Sequence, residues 1–170
     1  MKVALTGHRT EFFPKLDKEF VPKIRRTFRT FLNELKPELV IAGGCYGFDL
    51  IGSRECYFNK TPFDFYLPFP EFGVNWELGN REFLEGMKPK ARSIKNICDH
   101  YHKGCFHERD KAMVDDCDIV ISLLHPEATK GGTFYTVKYA EKMGKEVYNI
   151  WPNEDDKIYD LIESHKLFGE

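Results

Sequence analysis

The chain has little that would tie it to a membrane, an export route or a polyanionic surface. Across 170 residues no apolar run approaches the roughly 18 needed for a bilayer-spanning helix. Its first residues read as a strand rather than a secretion signal. Cysteine is sparse, with five residues, an odd number, scattered along the chain. A reduced, cytoplasmic setting is therefore expected. Neither sign of charge is in excess, with 25 Lys and Arg against 27 Asp and Glu for a net charge of −2. That balance argues against a broad basic face, so bulk nucleic-acid binding and membrane-surface binding are both expected to be unlikely. Neither G-x-G-x-x-G nor the P-loop pattern occurs, which leaves ordinary dinucleotide binding and P-loop hydrolysis without support. There is no internal repeat, linker or low-complexity tract, and one domain over residues 1–170 is expected.

What is present is alternation. From His107 to Ile150 a short helical segment ends at Asp115 and Asp116, and Asp118 leads into the apolar, β-branched run Ile119 to Leu124. A run of that length without period-2 alternation fits a strand covered on both faces. After a polar loop come Gly131, Gly132 and Thr133. Then Phe134, Val137, Ala140 and Met143 recur at helical spacing until Gly144, and Glu146 to Ile150 reads as the next strand. Earlier, strands are predicted at Lys2–Leu5, Glu38–Ala42 and Phe63–Leu67, with a shorter one at Ile94–Ile97. An amphipathic helix presents Phe20, Ile24, Phe28, Phe31, Leu32 and Leu35, and further helices are predicted at Phe48–Phe58, Trp76–Met87 and near Asp156–His165. Strands alternating with helices imply an α/β, Rossmann-like three-layer fold, with a mainly parallel sheet and helices on both faces.

The glycines fall after strands: Gly7, then Gly43, Gly44 and Gly47, then Gly131 and Gly132. Ligands of open parallel sheets sit outside the carboxyl ends of the strands, so three such loops on one edge point to a site. Glycine at a helix start lets a phosphate approach the unpaired N–H groups of the first turn. These features predict a nucleotide site.

Thr6-Gly7-His8-Arg9, the segment Gly43 to Asp49, Pro68-Phe69, Arg109-Asp110 before Met113-Val114-Asp115, and Gly131-Gly132-Thr133 with Thr136 together resemble the YspA-like (YpsA-like) branch of the SLOG superfamily. The resemblance runs from Val3 to Ile150 in one order. It implies a Rossmann-like fold that binds nucleotides or nucleotide-derived ligands, and homo-oligomers. The superfamily includes LOG phosphoribohydrolases, DNA-processing protein A and ligand-sensing domains of antiphage systems. LOG enzymes carry a glutamate on the helix after the paired glycines, where relatives of this branch read Val-Glu-Tyr-Ala. Here Val137-Lys138-Tyr139-Ala140 stands there. A lysine would oppose the cation-like sugar of a breaking N-glycosidic bond, so binding, by a sensor or sequestering protein, ranks ahead of hydrolysis of a nucleoside 5′-monophosphate.

On this reading Thr6, Gly7 and Arg9 form the first loop, with Arg9 reaching a phosphate. Gly131, Gly132 and Thr133 hold phosphate at the helix start. Gly43, Gly44, Gly47 and Asp49 line the ribose or base end, with Asp49 able to accept from ribose hydroxyls or merely to cap its helix. Arg109 is a second phosphate or base contact, or half of a surface salt bridge. Phe69, Phe72 and Trp76 either stack on a base or fill core. Cys98, His100, His102, Cys105 and His107 are dense enough to suggest a soft-metal site. Their spacing is not a standard zinc pattern, and extended alternation would splay them to opposite faces, so neither a metal nor a cofactor is expected. Asp115, Asp116 and Asp118 read as a capping and turn cluster.

Overall fold

A computed structural model describes residues 1–169. Six parallel strands form one sheet in the order β4-β3-β2-β1-β5-β6. The strands are β1 (Lys2–Gly7), β2 (Leu39–Ala42), β3 (Phe63–Leu67), β4 (Ser93–Asn96), β5 (Ile119–Leu123) and β6 (Glu146–Asn149). The helices are α1 (Phe20–Leu35), α2 (Phe48–Asn59), α3 (Leu78–Met87), α4 (Cys105–Asp115), α5 (Gly132–Lys142) and α6 (Asp156–Phe168). This is the expected α/β, Rossmann-like arrangement. Among the described residues no helix is long and apolar enough to cross a membrane.

Alternate strand residues feed two cores. Val3 and Leu5 of β1, Val40 and Ala42 of β2, and Ile121 and Leu123 of β5 face the larger one, with Phe20, Ile24, Phe28 and Phe31 of α1 and Ile158 and Ile162 of α6. Ala4, Leu39, Ile41 and Val120 face the smaller one, closed by Met113 and Val114 of α4 and Ala140 of α5. Both faces of β1, β2 and β5 are therefore apolar, which is why these strands read as continuous runs. The three aspartates near the end of α4 fasten elements together. Asp115 accepts from the Tyr139 hydroxyl at 2.7 Å, Asp116 from the Tyr66 hydroxyl at 2.5 Å, and Asp118 from the Lys2 N–H at 2.7 Å.

The predicted boundaries shift where tertiary pairing decides them. β1 continues past Leu5 because Thr6 pairs with Ser122 and Gly7 with Leu123 of β5. β4 sits one residue earlier than expected because Asn96 is the partner of Leu67. α3 starts at Leu78 rather than Trp76, and α6 runs to Phe168.

The strand order reverses between β1 and β5, so the loops leaving these two strands diverge and open a crevice. The β1 loop is held down by the β2 loop. Phe48 N–H donates to the His8 carbonyl at 3.3 Å, and Gly47, at φ +107°, packs directly beneath it. A Cβ at Gly47 would stand 2.5 Å from the His8 carbonyl oxygen and 2.7 Å from the Arg9 Cα. Gly47→Ala is therefore expected to destabilise the protein by about 2–4 kcal/mol, through both the left-handed backbone and the clash. Gly132→Ala, where an added Cβ meets nothing within 4 Å, should cost less than about 1 kcal/mol. Urea midpoints of the two variants give the comparison, and equal losses would refute the assignment.

Candidate functional site

A cleft of about 510 Å3 opens at that switch point, within the range of small-molecule pockets. The β1 loop contributes Thr6, Gly7, His8, Arg9, Glu11 and Phe12. The start of α5 contributes Lys130, Gly131, Gly132 and Thr133. Cys45 and Asp49 come from the β2 loop and α2, and Phe106, Arg109, Asp110 and Met113 from α4.

The end formed by α5 is electropositive. Gly131 sits at φ +100° just before the helix, and no side chain caps the first turn. Its free N–H groups and the positive end of the helix dipole thus remain available to an anion. Both glycines are exposed and have open space where a Cβ would project. Thr136 turns inward instead, donating to the Gly132 carbonyl at 2.8 Å. Lys130 directly precedes this end, and Arg9 lines the same cleft from the β1 loop. Arg9 is positioned through its Nε, which donates to the Cys45 Sγ at 3.1 Å, with its guanidinium 5.1 Å from the Tyr46 ring centre.

The floor is polar and buried. Arg109 is 6% exposed, and its Nε donates to Asp110 at 2.7 Å. Its Nη1 donates to the carbonyls of Gly43, at 2.5 Å, and Tyr66, at 3.3 Å. Asp49, also 6% exposed, accepts the Cys45 N–H on Oδ2 at 3.2 Å, while its Oδ1 is buried without a hydrogen-bond partner. Burial pushes the Asp49 carboxyl up to about 7 against the attraction of Arg109. At the rim His125 N–H donates to His8 Nε2 at 3.0 Å, so His8 carries its proton on Nδ1 when neutral. Burial and His125 both lower the His8 pKa. Asn149 latches the exit of β5, accepting from Leu124 N–H at 3.0 Å and donating to its carbonyl at 2.8 Å.

Of the residues singled out in the sequence, Thr6, Gly7, Arg9, Asp49, Arg109, Gly131, Gly132 and Thr133 come together in the cleft. Gly43, Gly44 and Gly47 do not line it. An added Cβ at Gly43 would meet the Arg109 guanidinium at 2.8 Å, and one at Gly44 the Leu67 side chain at 2.6 Å. These glycines make room for protein, not for a ligand. Arg109 is an internal anchor rather than a surface ion pair. Lys138 lies on the exposed face of α5, 3.5 Å from Glu141, and does not reach the cleft. The objection it raised to hydrolysis therefore has no geometric basis. Phe72 is core, while Phe69 and Trp76 line a neighbouring groove that shares Arg9 and Phe106 with the cleft. Asp110, Lys130, Phe106, His8 and Glu11 were not singled out as cleft residues. Asp110, Lys130 and His8 adjoin residues that were, and only the tertiary structure brings Phe106 and Glu11 to the cleft.

The raised Asp49 carboxyl makes stability depend on pH. Between pH 3.8 and about 7 the native state keeps a proton that the unfolded chain releases, so this group's contribution falls as pH rises through that window. Asp49→Asn removes the dependence. Relative to wild type, the variant should gain on the order of 2–4 kcal/mol between pH 4 and pH 8. Urea denaturation at both pH values measures this, and a difference independent of pH would refute the assignment.

The comparisons with known proteins agree with this architecture. The model of the YspA SLOG family matches residues 4–157. Searching curated protein sequences gives no match. Among solved structures, DNA processing protein A from Streptococcus pneumoniae is 17% identical, with a TM-score of 0.62 over 96% of this chain. The chain spans only 56% of that protein's length. DNA processing protein A from Helicobacter pylori, described with a unique single-stranded DNA binding mode, is 19% identical with a TM-score of 0.64, covering 98% of this chain and 73% of its own. The molybdenum cofactor carrier protein from Chlamydomonas reinhardtii is 10% identical with a TM-score of 0.57, covering 96% of this chain and 84% of its own. The expectation drawn from net charge, that nucleic-acid binding is unlikely, does not stand beside these neighbours. Net charge is a sum over the whole surface, whereas contact with a nucleic acid depends on the local field of one cleft or face. With the family model running from within β1 to the start of α6, and so across every segment that lines the cleft, the chain belongs to the YspA SLOG family.

Proposed function

We propose that the cleft binds a nucleotide or nucleotide-derived small molecule, as a sensor or sequestering protein would. The observation that carries this reading is the uncapped, glycine-fronted start of α5 opening onto a cleft that Lys130 and Arg9 also line. A phosphate at that position meets free N–H groups, in a cleft with cationic side chains to attract it. Asp49 and Asp110 lie in the same cleft and suit hydroxyl or amino donors, and Phe12 and Phe106 offer apolar surface to a flat base. Support from the family is for ligand binding of this general kind.

A second reading is favoured by Asp49 itself. A carboxylate with one free oxygen, titrating near neutrality inside the cleft, is equipped to stabilise a cation-like sugar or to position water. An N-glycosidase would break the bond between base and ribose C1′, with the hydroxyl of water going to C1′ and its proton to the departing base.

Thermal melting with nucleoside mono-, di- and triphosphates, dinucleotides, cyclic dinucleotides and short single-stranded oligonucleotides, each sample assayed afterwards for free base, separates the readings. A ligand at about 100 times its Kd adds roughly 2.7 kcal/mol, a shift of several degrees. A shift with intact ligand supports capture, whereas a shift accompanied by free base supports the N-glycosidase. The absence of any shift would overturn the nucleotide assignment. Gly132→Asp, placing a carboxylate where the phosphate would lie, is expected to leave the fold intact and weaken binding at least about 10-fold. An unchanged affinity would remove α5 from the site.

A further inference from the structure

The five cysteines and histidines from Cys98 to His107 do not lie on a strand, and Cys105 and His107 belong to the first turn of α4. After β4 the backbone bends, with Cys98 N–H donating to the Pro68 carbonyl at 3.0 Å. It turns again at Gly104, φ +94°, to start α4. The alternation that would have splayed the side chains is absent, and Cys98, His102 and Glu108 converge, their ligand atoms all within 4.8 Å of one another. Cys98 Sγ is 3.0 Å from Glu108 Oε2, and His102 Nε2 is 3.8 Å from the same oxygen. A tetrahedral zinc site with bonds of about 2.0–2.3 Å sets such donors roughly 3.3–3.7 Å apart, so adjustments of about 1 Å would seat an ion.

An independent observation concerns His102. Its Nδ1 lies 3.0 Å from the Lys103 carbonyl oxygen, which can only accept, so Nδ1 carries the proton. The lone pair of the neutral ring is then on Nε2, the atom that faces Cys98 and Glu108. An imidazole held by a carbonyl on one nitrogen with the other free is the usual outer support of a metal-binding histidine. Glu108 is fixed by its place in the first turn of α4. Cys105 is fully buried and His107 packs towards Tyr135 of α5, so neither joins the group.

We propose that Cys98, His102 and Glu108 bind one borderline-soft divalent cation of the zinc class, with a fourth position open to water. Thiolate, imidazole and carboxylate together suit Zn2+ and its cobalt surrogate better than Mg2+ or Ca2+. On binding, the cysteine gives up its thiol proton to solvent and the cation replaces it between sulfur and carboxylate. The bound ion fastens residues 98–102 to α4. Tyr101, within that segment, packs against Phe69 and Phe106, at ring separations of 5.7 and 6.3 Å. Phe106 is also a wall of the nucleotide cleft, so the ion would stiffen one side of it.

The test uses metal-free full-length protein titrated with Co2+, then with Zn2+ against a chromophoric chelator. The expected result is one ion per chain, visible-region bands of a tetrahedral cobalt site, and a near-ultraviolet thiolate-to-cobalt band. Cys98→Ser should abolish the thiolate band, whereas Cys45→Ser, which removes the one cysteine that is not buried, should keep it. His102→Ala should weaken binding about 10–100-fold with little change in the metal-free melting temperature, because that side chain is 42% exposed. No uptake by wild type, a thiolate band surviving in Cys98→Ser, or unchanged affinity in His102→Ala would each overturn the proposal. None of these readouts depends on a nucleotide binding at all.

Discussion

The buried guanidinium of Arg109 is the interaction on which the edge of the sheet depends. A charge removed from water is tolerated only when its donors are met, and here Asp110 and the carbonyls of Gly43 and Tyr66 meet them. In doing so Arg109 joins α4 to the exits of β2 and β3. It also sets the protonation of Asp49, whose burial would otherwise raise its carboxyl further. Removing this cation would leave Asp49 with only the Cys45 N–H and the charge of Arg9 to offset its burial. The need for glycine at position 43 follows directly, since a side chain there would occupy the guanidinium's place.

Around that anchor the cleft carries charge of both signs. The start of α5, Lys130, Arg9 and Arg109 supply positive charge and Asp49, Asp110 and Glu11 negative charge, with Arg9 and Arg109 both lowering the Asp49 carboxyl against its burial. A whole-chain net charge of −2 therefore says little about the field inside the cleft. In a half-enclosed crevice the nearest few groups outweigh the distant rest.

The legible and illegible parts of the site differ for a physical reason. Gly43-Gly44 and Gly131-Gly132 are the same dipeptide after a strand, yet the first pair faces an arginine and core leucines and the second faces open space. A glycine's local conformation is written in the sequence, but what approaches its missing side chain comes from elsewhere in the chain. Lys138 shows the same limit, because helical spacing places it beside the paired glycines without telling which way that face turns. The backbone of the Cys98–His107 stretch differs from the extended alternation its spacing suggests for a related reason: contact with the exit of β3 and a glycine turn impose a bend.

The sequence by itself determined the order and type of the elements, because apolar periodicity and glycine punctuation reflect forces acting over a few residues. It also determined that the paired glycines before α5 belong to a helix start. Only the tertiary structure decided which loops meet. The reversal of strand order between β1 and β5 brings Arg9, Asp49, Arg109 and Gly132 into one cleft, although they lie far apart in the chain. The burial that shifts Asp49 and the packing that turns Arg109 into an anchor arise from that same assembly. Desolvation is a property of the surroundings, and those surroundings exist only once the sheet has formed.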